Sequence, residues 1–398
     1  MVAVAVVAVG AVFGVRAFVA APDQDAAQNK SASAEFVDYM ADDETLEDEG
    51  ATGEDEQVAY ASTADAIRTT VPTVGELSIA PFSLTDATPP SFDTTQRQTI
   101  SRAVDRVEEN GSCSFVFIDL ASGRGLASNA DAVVYSASSI KAPFVYYVLT
   151  RADAGDIELS DDVRQSIENV IVNSDNDAYA RLHELYEDDA YHAWAQERGI
   201  DDEEDSNYAL ISARSMAAVW SEIEEYCNGG SDLGAWFKQL LGETTSSFIR
   251  NGLDGAADAQ ATGQGGNQGA GSFGQQIGGI LSATTGSGAA AGAQSSSASS
   301  AASSSAAEQT EVADGGWTTE EYRSSGTVDL SSAAVYDKAG WISDDYWGNA
   351  VNDCAFIEMD GRVYLLSIIT SQPDDASSEQ AVANLAYALM SSREALAA

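Results

Sequence analysis

A serine and a lysine three residues apart give the strongest chemical signal in this chain. Ser138 and Lys141 lie in the stretch 135–144, YSASSIKAPF, which is predicted to be a loop entering a buried helix. Their spacing places both side chains on one helix face, one turn apart. A serine hydroxyl needs an adjacent base to become a nucleophile, and a desolvated lysine can lose its proton near neutral pH. We therefore predict that Ser138 is a nucleophile and that Lys141 is its general base.

The scarcity of lysine makes two further motifs informative. The chain contains only four lysines, which are Lys30, Lys141, Lys238 and Lys338. Lys338 lies in the sequence DKAGW at the end of a strand-like run, and the segment NSDN at 173–176 lies between the two motif lysines. The chain therefore carries S-x-x-K, S-D-N and K-x-G in that order, and two of its four lysines fall in these contexts.

This set of motifs resembles that of the active-site serine penicillin-recognising enzymes, and is most similar to the class A β-lactamase-like serine hydrolases. The resemblance covers about 93–253 and 317–398. It implies a serine hydrolase that is acylated at Ser138 by β-lactams or D-alanyl peptides. The alternative is a binding module or sensor that captures penicillins or peptidoglycan stems with slow or no turnover.

The resemblance also assigns roles to the S-D-N and K-x-G residues. It implies that Ser174 shuttles a proton to the leaving nitrogen, and that Asn176 hydrogen-bonds the acyl-side amide of the substrate. Lys338 would face the substrate carboxylate and Ser174. Gly340 would let the substrate approach the strand edge closely. The family pattern has a threonine where this chain has Ala339, so one hydroxyl that usually holds the substrate carboxylate is missing.

The expected acylation cycle also needs an oxyanion hole and a base for deacylation. The backbone N–H groups of Ser138 and Trp341 would form the oxyanion hole. Class A β-lactamases carry Glu-x-x-Leu-Asn, whose glutamate activates the deacylating water, and the corresponding stretch here is 203–207, EEDSN. Glu203 is therefore the candidate base for deacylation. Its alternative is a surface charge, because the segment is rich in acids and has serine in place of leucine.

Composition restricts the partners of the chain. It has 63 acidic and 19 basic residues and a net charge of −44, so nucleic acid and anionic membrane surfaces are poor partners. The three cysteines and two histidines fit no zinc-site spacing. We expect no cofactor and no metal, a small-molecule β-lactam or peptide substrate, and a monomer.

The ends and the middle of the chain differ in composition from the motif-bearing parts. Residues 1–21 are apolar apart from Arg16, which predicts a membrane anchor or a signal segment and a catalytic domain exported from the cytoplasm. Pro22 disfavours cleavage after Ala21 and favours an anchor, through which alone the chain would contact a membrane. Residues 22–92 are predicted to be an acidic disordered linker, and 254–316 a low-complexity disordered insertion in the domain 93–398.

The periodicity of the motif-bearing parts predicts an α+β fold. A helix precedes two strands, a block of helices follows, and three strands linked by hairpins lead to a final helix. This order indicates an antiparallel sheet flanked by the terminal helices, with a separate all-helical lobe. The three-layer α/β/α fold of the β-lactamases and transpeptidases has this layout, with the active site between the lobes.

Overall fold

The computed structural model describes residues 33–37, 62–202, 208–254, 328–344 and 346–397, and these form helices around two sheets. The helices are α1 (Thr63–Thr70), α2 (Thr94–Glu108), α3 (Lys141–Asp153), α4 (Asp161–Val172), α5 (Asn176–Tyr186), α6 (Asp189–Glu197), α7 (Ala213–Asn228), α8 (Asp232–Gly242), α9 (Phe248–Asp254), α10 (Ala376–Ser391) and α11 (Glu394–Ala397). The strands are β1 (Glu35–Phe36), β2 (Ser78–Ser83), β3 (Cys113–Asp119), β4 (Arg124–Ser128), β5 (Val134–Tyr135), β6 (Asp201–Asp202), β7 (Ala209–Ile211), β8 (Ala334–Asp344), β9 (Gly348–Met359) and β10 (Arg362–Thr370).

The larger sheet is almost entirely antiparallel and ends at the strand that carries Lys338. Its seven described strands lie in the order β1-β2-β4-β3-β10-β9-β8. Only the short pair of β1 and β2 is parallel. The last three strands are consecutive hairpins, and the Asp360-Gly361 turn between β9 and β10 has positive φ at both residues, as that dipeptide predicts. Strand β8 therefore lies at an edge of the sheet.

Helices cover both faces of this sheet. Along β3, Val116 and Ile118 point into an inner core shared with the helical lobe. Phe115 and Phe117 point into an outer core, which also contains Ile100 of α2 and side chains of α10. Successive strand residues alternate between faces, and every residue of β3 is buried because both faces are covered. The three-layer α/β/α arrangement predicted from the sequence is confirmed.

Asp93 and Gln96 are a predicted capping pair at the start of helix α2, and the structure confirms it. The Asp93 carboxylate accepts from the Gln96 backbone N–H at 2.8 Å. The Gln96 side chain accepts from the Asp93 N–H at 2.9 Å. This reciprocal pair is a capping box, and it satisfies donors at a helix start that have no intrahelical partner.

The prediction of a disordered linker over 22–92 is wrong for residues 62–92. Helix α1 buries Ile67 completely in the inner core. Strand β2 pairs with β4 over five residue pairs and buries Ile79 in the outer core. The short strand β1 adds to the edge of the same sheet. The ordered domain therefore starts well before Asp93.

The linker prediction failed for 62–92 because it rests on the average composition of the whole segment 22–92. The acidic run DDETLEDEGATGEDEQ at 42–57 dominates the average, but the acidity ends before α1. Ser62 then accepts from the Asp65 N–H at 3.1 Å and caps α1. The strand SIAPFS at 78–83 carries apolar residues that the sheet buries. A shorter window would have separated these two parts.

The helical lobe differs from its prediction in two places. The sequence from Asp177 to Arg198 predicts a single helix, but the structure has two. Asp188 caps the second helix and accepts from the Ala190 and Tyr191 N–H groups at 3.1 and 3.0 Å. A three-stranded sheet, in the order β5-β7-β6, also interrupts the region. Its strands have two or three residues each and leave little periodicity to detect.

Several sequence predictions fall outside the described residues. These are the apolar segment 1–21, the part of the 254–316 insertion that follows Asp254, and Glu203. Within the described ranges, no helix is both long enough and apolar enough to cross a bilayer. The three cysteines, Cys113, Cys227 and Cys354, are buried free thiols.

Candidate active site

Ser138 lies in a tight turn between the small sheet and helix α3. A 3₁₀ helix over Ala137–Ile140 holds it, and α3 begins at Lys141. The preceding residue, Ala137, has φ +45°, a conformation that is strained for an alanine. The second N–H of a 3₁₀ helix has no acceptor within that helix, so the Ser138 N–H can donate to a substrate. Ser138 itself remains partly exposed while its neighbours are buried.

Strand β8 packs directly against this turn at Gly340. A Cβ atom built on Gly340 would lie 2.2 Å from the Ser139 backbone nitrogen and 2.6 Å from that of Ser138. Both distances are far below a van der Waals contact, so only glycine permits this approach. The sequence analysis assigned Gly340 to substrate approach. The structure shows that the backbone of the Ser138 turn occupies the space beside its Cα.

Asn352 of β9 ties the turn to the sheet, and the sequence analysis missed it. Its side-chain amide donates to the carbonyl oxygens of Tyr135 and Ser136 at 2.9 and 3.2 Å. Its own oxygen accepts from the Thr370 N–H of β10 at 2.9 Å. An asparagine inside a strand-like run carries no local signal of this role, because its partners in the turn are over two hundred positions away.

The Lys141 amine is buried and held by the S-D-N loop. Its Nζ donates to the Ser174 carbonyl oxygen at 2.7 Å and to Asn176 Oδ1 at 2.6 Å, and lies 3.3 Å from Ser174 Oγ. Burial lowers the pKa of Lys141 well below its usual value, and the nearby Lys338 charge lowers it further. Among the described residues, no hydrogen bond joins Lys141 to Ser138; the two side chains are neighbours by their helical spacing.

Ser174 is the point where the two motif lysines meet. Lys338 Nζ donates to Ser174 Oγ at 3.1 Å and to the carbonyl oxygen of Ala339 at 2.9 Å. Burial lowers the pKa of Lys338 to about 8, although the Asp337 and Asp353 carboxylates oppose that shift. The Ser174 hydroxyl can therefore accept from Lys338 and donate to a neutral Lys141 amine at the same time. That geometry forms a path for a proton between the two lysines.

The S-D-N loop is shaped by a left-handed residue and a helix cap. Ser174 has φ +55°, and Asp175 caps α5 by accepting from the Ala178 N–H at 2.7 Å. The cap holds Asn176, the first residue of α5, toward the site. Asn176 Oδ1 accepts from Lys141 and from the Tyr208 hydroxyl at 3.1 Å. Tyr208 is a second neighbour of the site that the sequence analysis did not identify.

Ala339 and Trp341 face away from Lys338, as strand alternation requires. Ala339 is fully buried in the outer core. The Trp341 ring packs against Phe248 of α9 with 5.7 Å between ring centroids. The side chains of both residues therefore serve packing. The role proposed for Trp341 in an oxyanion hole concerns its backbone N–H alone.

Two buried carboxylates lie behind Lys338 on the outer face of the sheet. Asp337 accepts from Arg250 Nη2 at 2.8 Å and from the Thr244 hydroxyl at 2.7 Å. Asp353 accepts from two backbone N–H groups at the start of α9. Burial raises the pKa of both carboxyl groups, and the Asp337 charge raises that of Asp353 further. The Arg250 cation opposes the shift at Asp337, because it lowers the pKa of that carboxyl group.

Replacing Arg250 with methionine is expected to lower the free energy of unfolding by about 3 kcal/mol or more, because it leaves Asp337 as an unpaired buried charge. The loss should be smaller at low pH, since protonation then neutralises Asp337. Urea denaturation measures both effects. Arg106→Met is the matched control, because the Arg106–Glu109 pair is about half exposed and worth only about 0–1 kcal/mol. Equal losses in the two variants would contradict the role of Arg250.

The structure thus unites most of the residues that the sequence analysis selected. Hydrogen bonds join Lys141, Ser174, Asn176 and Lys338 into one group, and Ser138 lies one helical turn away. A partly exposed serine beside a buried, weakly basic amine can serve in acyl transfer. A nearby hydroxyl that connects two lysines adds a route for protons.

Comparison with known proteins supports the resemblance over one part of the chain. The family model described as "Beta-lactamase enzyme family" matches residues 96–166, which include Ser138 and Lys141. The resemblance inferred from the motifs is confirmed, and this part of the chain is β-lactamase-like. No curated protein matches the chain.

Three solved structures illustrate the similarity. A β-lactamase from Sphaerobacter thermophilus is 13% identical, covering 75% of this chain and 97% of its own, with a TM-score of 0.48. The protein PBP-A is 16% identical, covering 77% and 99%, with a TM-score of 0.48. A mutant of PBP-A, solved as an acyl-enzyme complex with penicillin G, is 17% identical, covering 77% and 99%, with a TM-score of 0.47.

Proposed function

We propose that this protein is a serine hydrolase that is acylated at Ser138 by β-lactams or D-alanyl peptides. The observation that carries the proposal is the buried amine of Lys141, which lies one helical turn from a partly exposed serine. Its two shortest hydrogen bonds go to the carbonyl-type oxygens of Ser174 and Asn176, which can only accept. A neutral amine can satisfy both and still present its lone pair to a hydroxyl.

Acylation then proceeds by attack of Ser138 Oγ on the substrate carbonyl carbon. The hydroxyl proton passes to the neutral Lys141 amine as the new C–O bond forms. Negative charge develops on the substrate carbonyl oxygen, where the Ser138 N–H and the Trp341 N–H at the β8 edge would stabilise it. Removing one such donor commonly costs about 10²–10³-fold in rate.

Collapse of the tetrahedral intermediate breaks the C–N bond and needs a proton on the leaving nitrogen. Ser174 is suited to deliver it, because its hydroxyl lies within reach of both Lys141 and Lys338. The proton that Lys141 took from Ser138 passes through Ser174 to the nitrogen. The amine of a D-alanyl peptide then leaves, whereas that of a β-lactam stays attached to the acyl group through the opened ring. Lys141 is then neutral again for the next step.

A fluorescent penicillin tests acylation directly. The protein should acquire a covalent label, and Ser138→Ala should not. Ser122→Ala is the control for the loss of a hydroxyl, since Ser122 hydrogen-bonds Asp119 and the Leu396 carbonyl oxygen outside the site. A label that persists in Ser138→Ala would refute the proposed nucleophile.

A binding module or sensor is the second candidate function. The observation that favours it is Ala339, a buried methyl group where the family pattern has a threonine hydroxyl. Without that hydroxyl, the protein would bind a substrate carboxylate more weakly than the family pattern implies. A time course of nitrocefin hydrolysis separates the candidates. Many turnovers per molecule support the hydrolase, whereas a single burst supports a protein that captures its ligand and holds it.

The rate of acylation by a carboxylate-bearing β-lactam should fall as the pH rises through about 8. Lys338 is a cation below its pKa, which is about 8, and loses its charge above it. Its attraction for the substrate carboxylate disappears in the same range. Rate constants measured between about pH 6 and pH 10 for benzylpenicillin and its methyl ester test this. An identical fall for the uncharged ester would exclude carboxylate recognition by Lys338.

The role of Glu203 as the general base for deacylation remains a prediction. Removing a general base commonly costs about 10²–10⁴-fold in rate, so Glu203→Gln should leave labelling of Ser138 fast and make the acyl-enzyme long-lived. Glu204→Gln is the control for general loss of charge. If both variants turn over like the parent, Glu203 is a surface charge, and the protein is better described as a peptidase-like or penicillin-binding protein.

A further inference from the structure

Four aromatic rings form a continuous surface beside Ser138 that the acylation chemistry does not use. We call this surface, made of Tyr135, Tyr208, Tyr346 and Trp347, the aromatic wall. The Tyr135 ring stacks on Trp347 at 5.5 Å between centroids and contacts Tyr208 at 5.8 Å. Tyr346 meets Trp347 edge-on at 4.8 Å. The rings thus run from the S-D-N loop to the tip of the β8–β9 hairpin.

The outer end of the wall is exposed although it is apolar. Tyr346 is 81% exposed and Trp347 is 39% exposed, and both belong to the few large apolar side chains of the described residues that lie open to solvent. The hairpin tip is nevertheless held in place. Asp344 accepts from the backbone N–H groups of both residues at 2.8 Å. A preorganised pair of exposed rings is suited to receive a ligand at little entropic cost.

The inner end of the wall packs against the turn that carries Ser138. Tyr135 packs in one small apolar cluster with Ala137, the residue before Ser138, and with Ala350 of β9. The hydroxyl of Tyr208 donates to Asn176 Oδ1 at 3.1 Å. The wall therefore contacts both the turn that carries Ser138 and the Asn176 side chain.

Asn176 sets the direction in which a ligand would extend. Its Oδ1 is occupied by Lys141 and Tyr208. Among the described residues, no hydrogen bond from its Nδ2 is seen, so this amide group can donate to a ligand. A carbonyl oxygen on the acyl part of a substrate fits that donor, and the substituent beyond it would lie on the rings. The Lys338 amine lies at Ser174, 3.1 Å from its hydroxyl.

We propose that the aromatic wall binds an aromatic or flat apolar acyl side chain of the substrate, so the protein prefers amphiphilic anions with such a group. This inference rests on the proposed function, since it places the acyl carbon at Ser138. Flat apolar groups stack favourably on tyrosine and tryptophan rings. The anionic end of the same ligand would face Lys338.

Two penicillins isolate the contribution of the wall. Benzylpenicillin and 6-aminopenicillanic acid share the β-lactam nucleus and the carboxylate, and only the first carries a phenylacetyl group. The parent protein should be acylated faster by benzylpenicillin. Trp347→Ala should lower that rate constant about 2- to 10-fold and leave the rate constant for 6-aminopenicillanic acid unchanged. Tyr346→Ala should act in the same direction, and Trp347→Phe, which keeps a ring, should act less.

Leu185→Ala is the control for removing an exposed apolar side chain. Leu185 is 61% exposed and lies on α5, and its loss should change neither rate constant. An unchanged preference in Trp347→Ala and Tyr346→Ala, or an equal loss for both penicillins, would overturn the inference while acylation of Ser138 stands.

A binding measurement tests the aromatic wall independently of acylation. Ser138→Ala cannot be acylated, so calorimetry with this variant measures equilibrium binding alone. It should bind benzylpenicillin more tightly than 6-aminopenicillanic acid, and the added Trp347→Ala change should remove the difference. If no penicillin acylates the parent protein but this difference is found, the wall stands and the proposed hydrolase fails. If the variant shows no difference, the wall is wrong.

Discussion

Replacing Lys141 with methionine is expected to lower the rate of Ser138 acylation by about 10²–10⁴-fold, the usual contribution of a general base. Methionine keeps the apolar stem and removes the amine. Ser174 and Asn176 then lose the donor that their oxygens share, so part of the loss comes from the S-D-N loop. The rate of labelling by a fluorescent penicillin measures the effect.

Lys238→Met is the matched control, because it makes the same chemical change outside the site. Lys238 hydrogen-bonds Glu358 and Asn228, and its replacement should leave the labelling rate within about twofold of the parent. A parent-like rate in Lys141→Met would show that another group removes the proton from Ser138.

Replacing Gly340 with alanine is expected to abolish acylation while changing a single methyl group. The new Cβ would lie 2.2 and 2.6 Å from the backbone nitrogens of Ser139 and Ser138, and 2.9 Å from the Ser136 carbonyl oxygen. Backbone atoms cannot rotate away as a flexible side chain can, so the turn must move from β8. Overpacking of this kind commonly costs about 1–3 kcal/mol. Thermal unfolding and the labelling rate measure the two consequences.

Gly75→Ala controls for the general effect of adding a methyl group to a glycine. No atom lies within 4 Å of a Cβ built at Gly75, so this variant should unfold and label like the parent. A Gly340→Ala variant that labels at the parent's rate would show that the turn tolerates displacement. The oxyanion donors would then not depend on this contact.

The candidate catalytic residues Ser138, Lys141 and Lys338 could be selected from the sequence because they carry local and compositional signals. The i, i+3 spacing of Ser138 and Lys141 is visible within one helical turn, and the rarity of lysine draws attention to Lys338. The sequence does not show that the two lysines meet on one hydroxyl. That contact depends on the S-D-N loop reaching an edge strand that lies 164 positions away in the chain.

The residues that hold the group in place carried no such signal. Asn352 and Arg250 each lie within ordinary apolar or helical sequence, and their partners come from distant segments. The aromatic wall likewise draws Tyr135, Tyr208 and Trp347 from three separate elements. Helical periodicity predicts which face of an element is buried. It does not predict which polar group that face will meet.

The fold was predicted better where elements are long than where they are short. The hairpin strands β9 and β10 and the capped helix α2, which are among the longer elements, were predicted from the sequence. Helix α1 and strand β2 were missed because an acidic run precedes them in the chain. Their stability comes from the inner and outer cores, which a composition average over a long segment does not register.

The mass of the protein after exposure to benzylpenicillin tests the central claim most directly. If Ser138 is the nucleophile, the intact protein gains the mass of one benzylpenicillin molecule, and digestion places the whole gain on the peptide that contains Ser138. Ser138→Ala, confirmed as folded by its thermal unfolding, should gain nothing under the same conditions. An adduct on any other peptide would contradict the account, and so would a folded parent protein that, at saturating ligand, neither gains an adduct nor hydrolyses benzylpenicillin.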